Sequence, residues 1–328
     1  MKIVVTAPGI RRFAHELESR NPDATFVHCE CDDVRLHALL ADADVLVSAR
    51  CTADMLASAT GLRLLQVPGA GTEKLAPEVW ASGITVANAF EHGRSIAEYV
   101  VMVMLALSHG LHRMDSALRS GVWSNPLIDP SLTLRRTLPG QLVGLVGYGH
   151  IGSAVADLAR GLGMRVGAVR QGPWPTVDSA RLDLFGGPEM LGRLLEESDF
   201  VVVVVPLNDT TQGMIDAEAL RRMRPTAALI NVARGEVVDE AALYEALRSG
   251  ALAGAALDVW HRVRPTTLDV TPPSVYPFGE LENVIMTPHV SGVSEDTFVG
   301  RARFIGENIA RLARGEPLHN VVAATHGL

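Results

Sequence analysis

Three places in the 328-residue sequence hold residues whose types and spacing could act together chemically. The first is Gly147-Tyr148-Gly149-His150-Ile151-Gly152, a G-x-G-x-x-G run that follows the apolar stretch Leu142 to Val146 and opens a helical pattern, SAVADLARGLG. A bare run of this kind means little in a chain with 30 glycines. Strand, turn and helix in that order give it physical sense. Gly147 would make the tight turn, Gly149 would let a pyrophosphate approach, and Gly152 would allow close helix-on-strand packing, with the phosphates over unpaired N–H groups of the helix start. The second place is Arg234, in Asn231-Val232-Ala233-Arg234-Gly235-Glu236, and the third is His289, after Thr287-Pro288. An arginine can clamp a carboxylate through two parallel hydrogen bonds, and a histidine can move a proton near neutral pH. Beside a nicotinamide cofactor, such a pair suits hydride transfer to a carbonyl. Each feature taken alone also has a plain structural reading: a glycine-rich corner, a strand-end arginine, a histidine in a turn.

The elements that must position these groups are legible as alternating strands and helices. Lys2 to Ala7, Thr25 to His28, Val45 to Ser48, Leu62 to Val67 and Ile84 to Asn88 read as short strands, with helical patterns at Ile10 to Arg20 and Val34 to Ala41. This repeat implies a parallel sheet, and the fold class is α/β. After its fourth strand comes Val67-Pro68-Gly69-Ala70-Gly71-Thr72-Glu73. Backbone N–H groups in such a glycine turn could hold an anion, or simply lead into a helix. Ser95 to His109 reads as a long helix, with Ser95 as a cap and Glu98 as its capping-box partner. Its apolar residues on every face predict burial all round, as at a domain junction or a subunit interface. The domain crossing is placed near Glu98.

Beyond it, Val166 to Val169, Phe200 to Val205, Ala227 to Val232, Ala255 to Val259 and Val284 to Met286 read as strands, several of them continuous apolar runs buried on both faces. Arg234 and His289 each follow a strand end, on the edge where open α/β sheets bind ligands. Roughly 20 residues past the glycine turn, where an acid normally clasps the ribose of NAD, stands Arg170. An arginine there can pair with a 2'-phosphate, which favours NADP(H), with NAD(H) the alternative.

Composition closes off other classes. The formal net charge is −8 and no basic run appears, so nucleic acid is not an expected partner. The longest apolar run, Tyr99 to Leu107, is about half of the roughly 20 residues a membrane span needs. The start MKIVVTAPGI has too short an apolar core for a signal peptide, and the expectation is a cytoplasmic protein. Three cysteines in a long chain argue against a disulfide framework. His28-Cys29-Glu30-Cys31-Asp32-Asp33 looks at first like a metal cluster, but C-x-C without a second ligand pair is poor zinc spacing, and no metal is expected.

Taken together, GYGHIG at Gly147 to Gly152, VPLNDTT at Val205 to Thr211, NVARGEVVDEAAL at Asn231 to Leu243, AALDVW at Ala255 to Trp260 and NVIMTPHVSG at Asn283 to Gly292 resemble the D-isomer-specific 2-hydroxyacid dehydrogenase family over essentially the full length. The resemblance implies two Rossmann-like or flavodoxin-like domains with parallel sheets. A substrate domain of residues 1–98 and 290–328 would surround an inserted dinucleotide-binding domain of residues 99–289, with a cleft between them. It implies a homodimer through the helices near Ser95 to Leu118. It makes Arg234 the substrate-binding arginine and His289 the acid/base, and puts Ala70 and Gly71 where backbone amides hold the substrate carboxylate. Gly147, Tyr148, Gly149, His150, Ile151, Gly152, Arg170, Pro206, Thr211, Val232, Ala233 and Asp258 fall at cofactor-contacting positions.

One departure stands out. Family members carry a glutamate five residues after the aspartate matched by Asp258, and it keeps the histidine protonated; here that residue is Val263, in Asp258-Val259-Trp260-His261-Arg262-Val263-Arg264-Pro265. Glu280 and Glu282 match a surface stretch instead. Loss of a carboxylate partner would lower the basicity and loosen the orientation of the histidine. Three readings follow. The chain reduces a small 2-oxoacid to a D-2-hydroxyacid with a different partner for His289, such as His261 or a second anion of the substrate met by Arg262 and Arg264. Or it oxidises a different small oxyacid or an aldehyde hydrate, one bearing a phosphonate among them. Or it is a catalytically weak, cofactor-sensing binding protein.

Overall fold

Short runs rich in valine, leucine and isoleucine line up as two separate parallel sheets. The computed structural model describes residues 1–132, 134–174, 181–262 and 271–322. Val263 and Arg264 lie outside the described residues. The chain divides into two units, Met1–His92 with Val293–Leu328, and Gly93–Gly292. The passage between them comes at His92–Gly93, ahead of Glu98, which sits inside one continuous helix.

The first unit holds five strands, β1 (Lys2–Val5), β2 (Thr25–His28), β3 (Val45–Val47), β4 (Leu64–Gln66) and β5 (Thr85–Ala87). They pair in the order β2-β1-β3-β4-β5, all parallel, the flavodoxin-like arrangement. Alternate residues of a strand point to opposite faces. Ile3, Val5, Val45, Val47 and Leu64 therefore meet Ile305 and Ile309 of the helix Glu295–Arg314, while Val4, Leu46 and Leu65 meet Leu36, Leu40 and Met55. Ser294 caps that last helix through the N–H of Thr297, and Gly315 ends it at a φ of 69°. The helix expected over Ile10 to Arg20 is instead two short ones, Pro8–Arg11 and Ala14–Glu18. Phe13 sits between them with non-helical backbone and stacks on Phe298, ring centroids 6.4 Å apart, so tertiary packing overrides the local period.

The second unit holds β6 (Leu142–Val146), β7 (Arg165–Val169), β8 (Leu184–Gly186), β9 (Phe200–Val203), β10 (Ala228–Asn231), β11 (Gly254–Leu257) and β12 (Val284–Met286). Their order is β12-β11-β10-β9-β6-β7-β8, all parallel. This is the doubly wound order of dinucleotide-binding sheets, and the switch point lies at β6, where the chain winds first toward β7 and then back toward β9. The helix Gly93–His109 packs on β10, β11 and the helix His150–Gly161, and buries Ile96, Val100, Val103 and Met104 in the apolar cluster that also holds Ile230 and Ala256. Burial all round is not what it shows, because Met102 and Leu105 are exposed. Nor does Ser95 cap it: the helix already starts at Gly93, the Ser95 hydroxyl donates to the Ser291 carbonyl at 2.8 Å, and Glu98 pairs with Arg94 on the surface. Left-handed Gly110 then turns the chain by 61° into the helix Leu111–Arg119, none of whose residues is buried. No single helix among the described residues is long and apolar enough to cross a membrane.

Candidate active site

The glycine run forms the β6 end and the start of the helix His150–Gly161. Gly147 has a φ of +108°, and a Cβ on it would lie 2.7 Å from the Val204 carbonyl oxygen. A Cβ on Gly152 would lie 2.6 Å from the Gly147 oxygen. Both glycines are therefore required by the apoprotein's own packing. Gly149 differs: nothing stands within 4 Å of a Cβ placed there, so the space above it is open for a ligand. The first bond of the helix runs from Ser153 N–H to the Gly149 carbonyl, which leaves the amides of Ile151 and Gly152 in the first turn, where helices bind phosphate. The cradle fits a dinucleotide pyrophosphate. Tyr148 and His150 flank it, Tyr148 buried and packed on Trp174 with ring centroids 5.2 Å apart.

Arg170 follows β7, its N–H bound to the Gly186 carbonyl. Its guanidinium lies 5.8 Å from the Trp174 ring centre, and Trp174 meets the Phe185 edge. A stacked guanidinium keeps its in-plane donors for an anion. Nothing in the spacing of Trp174, the residue that fixes this cation, marks it in the sequence.

Beyond β9, the loop carrying Pro206 is closed by Thr211, whose hydroxyl donates to the Pro206 carbonyl at 2.6 Å and accepts from Asn208 N–H at 2.9 Å. Beyond β10, Val232 and Ala233 are buried and Arg234 is half-buried. Asn231, which no local pattern marks, braces this turn: its amide nitrogen donates to the Arg234 carbonyl and its oxygen accepts from Ala233 N–H. Arg234 itself donates to the Ala233 carbonyl at 2.8 Å. A Cβ on Gly235 would come within 2.5 Å of the Trp260 carbonyl carbon, so only glycine lets this turn pass the end of β11.

His289 is exposed and takes a φ of 58°, a left-handed conformation that histidine adopts more readily than most residues. The loop around it is tied to one buried carboxylate. Asp258, just past β11 and with none of its surface exposed, accepts from Thr287 Oγ1 at 2.6 Å, Val290 N–H at 2.8 Å and Ser291 N–H at 2.9 Å. Burial alone would raise its pKa, but these hydrogen bonds outweigh it and hold the carboxyl below its ordinary value. The Thr287 hydroxyl gives its one proton to Asp258, so the Tyr99 hydroxyl, 2.6 Å away, must donate to Thr287. Burial, with the Asp258 charge adding to it, pushes the Tyr99 phenol up to about 12, so it stays a donor. Trp260 Nε1 holds the Thr287 carbonyl at 2.9 Å. His261 Nε2 meets the Val238 carbonyl at 3.1 Å, which engages that nitrogen.

In the first unit, Ala70 and Gly71 are half-buried after β4. The Gly69 carbonyl accepts from Ala89 N–H and the Ala70 carbonyl from Asn88 Nδ2. The N–H groups of Ala70 and Gly71 meet no acceptor among the described residues, which suits an anion. Also among the described residues, no group of three or more His, Cys, Asp or Glu side chains is placed to hold a metal ion.

The sequence profile for the D-isomer specific 2-hydroxyacid dehydrogenase NAD-binding domain matches residues 101–291. A glyoxylate reductase of Korarchaeum cryptofilum is 36% identical over 291 residues, 86% of this chain and 83% of that one. A glycerate dehydrogenase of Methylorubrum extorquens is 33% identical over 287 residues, 83% of this chain and 82% of its own. Among solved structures, the D-isomer specific 2-hydroxyacid dehydrogenase of Xanthobacter autotrophicus, in complex with NADPH and MES, superposes with a TM-score of 0.80 at 27% identity, covering 100% of this chain and 99% of that one.

Proposed function

The chain belongs to the D-isomer-specific 2-hydroxyacid dehydrogenase family, NAD(P)-dependent oxidoreductases acting on CH–OH donors, and from that premise we propose that it interconverts a small 2-oxoacid and the D-2-hydroxyacid. The observation that carries this reading is that Arg234 and His289 follow β10 and β12 at the same sheet edge as the Gly147–Gly152 cradle after β6. The bound nicotinamide supplies the hydride. Arg234 pairs with the substrate carboxylate and polarises the carbonyl; His289 delivers the proton to the carbonyl oxygen as the carbon takes the hydride, and Asp258 positions the His289 loop. Ala70 and Gly71 hold the carboxylate through their amides. The relatives named above make glyoxylate and hydroxypyruvate the first substrates to try.

The test is cofactor absorbance against a panel of 2-oxoacids. The wild-type protein turns over at least one of them, and His289→Ala abolishes turnover while leaving the cofactor affinity intact. Tight cofactor binding with no turnover of any 2-oxoacid by the wild type would favour the cofactor-sensing reading instead.

The cofactor in this proposal is NADP(H), supported by the cation stacked on Trp174. Arg170→Met should raise the Michaelis constant for NADPH about 10- to 100-fold, the effect of one charge-assisted hydrogen bond, and leave that for NADH nearly unchanged. A wild-type preference for NADH would overturn the assignment.

The proposal includes a homodimer through Gly93–His109 and Leu111–Arg119. Its support is the apolar surface that Met102, Leu105, Leu111 and Leu118 leave exposed along these helices. Light scattering after gel filtration should give twice the 35.1 kDa chain mass, and Leu111→Glu with Leu118→Glu should give the monomer. A wild-type monomer at micromolar concentration would remove this part of the proposal.

A further inference from the structure

Arg301, on the helix Glu295–Arg314, has no carboxylate within ion-pair distance among the described residues. Its side chain is largely withdrawn from water, yet it forms no ion pair with any of the described residues. Its Nε is buried with no hydrogen-bond partner, and its one hydrogen bond, from Nη2 to the Phe90 carbonyl, is long at 3.5 Å. The guanidinium lies 5.7 Å from the Phe298 ring centre. Glu91 acts on it electrostatically from beyond ion-pair distance. Withdrawing a guanidinium from water is costly unless something satisfies it.

What lies beside Arg301 is the anion-holding turn. Its Nη2 is 3.9 Å from where a Cβ on Gly69 would stand, at the turn whose carbonyls are tied back by Asn88 and Ala89 and whose Ala70 and Gly71 amides have no acceptor among the described residues. The under-satisfied guanidinium thus lies beside the half-buried turn that carries the two amide donors, all within the first unit. Amide dipoles alone orient an anion, whereas a neighbouring guanidinium adds charge and a planar pair of donors matched to a carboxylate.

We propose that Arg301 is a substrate-binding residue that completes, with the amides of Ala70 and Gly71, the pocket for the substrate carboxylate. This rests on reading that turn as the carboxylate holder. The anion taken is a carboxylate attached directly to a carbonyl, and Arg301 acts on binding rather than on the proton or hydride.

Calorimetric titration of oxalate into the full chain saturated with reduced cofactor tests it. Wild type binds oxalate, and Arg301→Met, which keeps the bulk but not the charge, binds it about 10- to 100-fold more weakly. Arg301→Lys lies between, since it keeps the charge but not the fork. The same variant should raise KM for 2-oxoacids with kcat and the cofactor KM nearly unchanged. Oxalate affinity unaltered in Arg301→Met, or no oxalate binding by wild type, overturns the proposal. So does a fall in melting temperature and kcat alike in both variants, since that marks a brace for the Phe90 carbonyl. If Arg301→Met weakens oxalate binding but wild type reduces no 2-oxoacid, the proposed function falls and this site stands. If wild type reduces 2-oxoacids and Arg301→Met is indifferent, the reverse holds.

Discussion

Asp258→Asn should lower kcat about 100-fold, because a displacement of a reacting group by about 1 Å costs that much. The reason lies in donors and acceptors. Thr287 Oγ1, Val290 N–H and Ser291 N–H all point at the Asp258 carboxylate. Asparagine offers one acceptor oxygen and one NH2 group, so at least one buried N–H would face a donor. The left-handed backbone of His289 would then lose the clamp on its own side of the loop. Removing charged hydrogen bonds from a buried site also costs about 2–4 kcal/mol of stability, which a lowered melting temperature would register.

The pH dependence has a defined sign. The Asp258 pKa is depressed in the folded protein, so its contribution to stability is fully present above the ordinary carboxylate value of about 4 and is lost as pH falls through the lower folded value. The stability gap between wild type and Asp258→Asn should therefore stay constant from about pH 5 to 8 and narrow only at strongly acid pH. Neither Asp258 nor Tyr99 titrates near neutrality, so the limbs of kcat/KM there belong to other groups. A limb that disappeared in Asp258→Asn, rather than shifted with the lost charge, would make Asp258 a proton-transfer group rather than a positioning one.

The second large effect separates two glycines of one motif. Gly147→Ala should destabilise the protein by about 3–5 kcal/mol, since it combines a backbone conformation that alanine disfavours with a Cβ 2.7 Å from the Val204 oxygen. That is a large part of the 5–15 kcal/mol typical of folded domains. Gly149→Ala should melt like wild type, because its Cβ meets nothing in the apoprotein, yet bind the dinucleotide at least about 10-fold more weakly where that Cβ enters the space of the phosphates. Melting curves and cofactor titrations of both variants check the pair. Equal loss of stability in the two would mean that Gly149 serves the fold rather than a ligand.

These two glycines also mark what could be read before the structure. The strand-turn-helix at Gly147, the strand ends before Arg234 and His289, and both parallel sheets were visible because each rests on local period and turn chemistry. The supports were not. Asp258 and Val290, Tyr99 and Thr287, Ser95 and Ser291 meet across long stretches of chain, and no local pattern marks them. Ser95 read as a helix cap for the same reason: a serine before an apolar run looks identical whether its hydroxyl caps the helix or reaches a loop far along the sequence. Arg301 lies in an ordinary amphipathic helix, where an arginine says nothing until the turn beside it is known.

The split make-up of the first unit has a consequence for how the protein is made. Its sheet face of Ile3, Val5, Val45, Val47 and Leu64 is covered by Ala302, Ile305 and Ile309, whereas every strand of the second unit lies within Gly93–Gly292. A ribosome adding about 5–20 residues per second delivers the covering helix roughly 15–60 s after the first strand. Over that interval the nascent chain carries an apolar sheet face without the helix that covers it, so demand for chaperones in the cell should fall on the first unit.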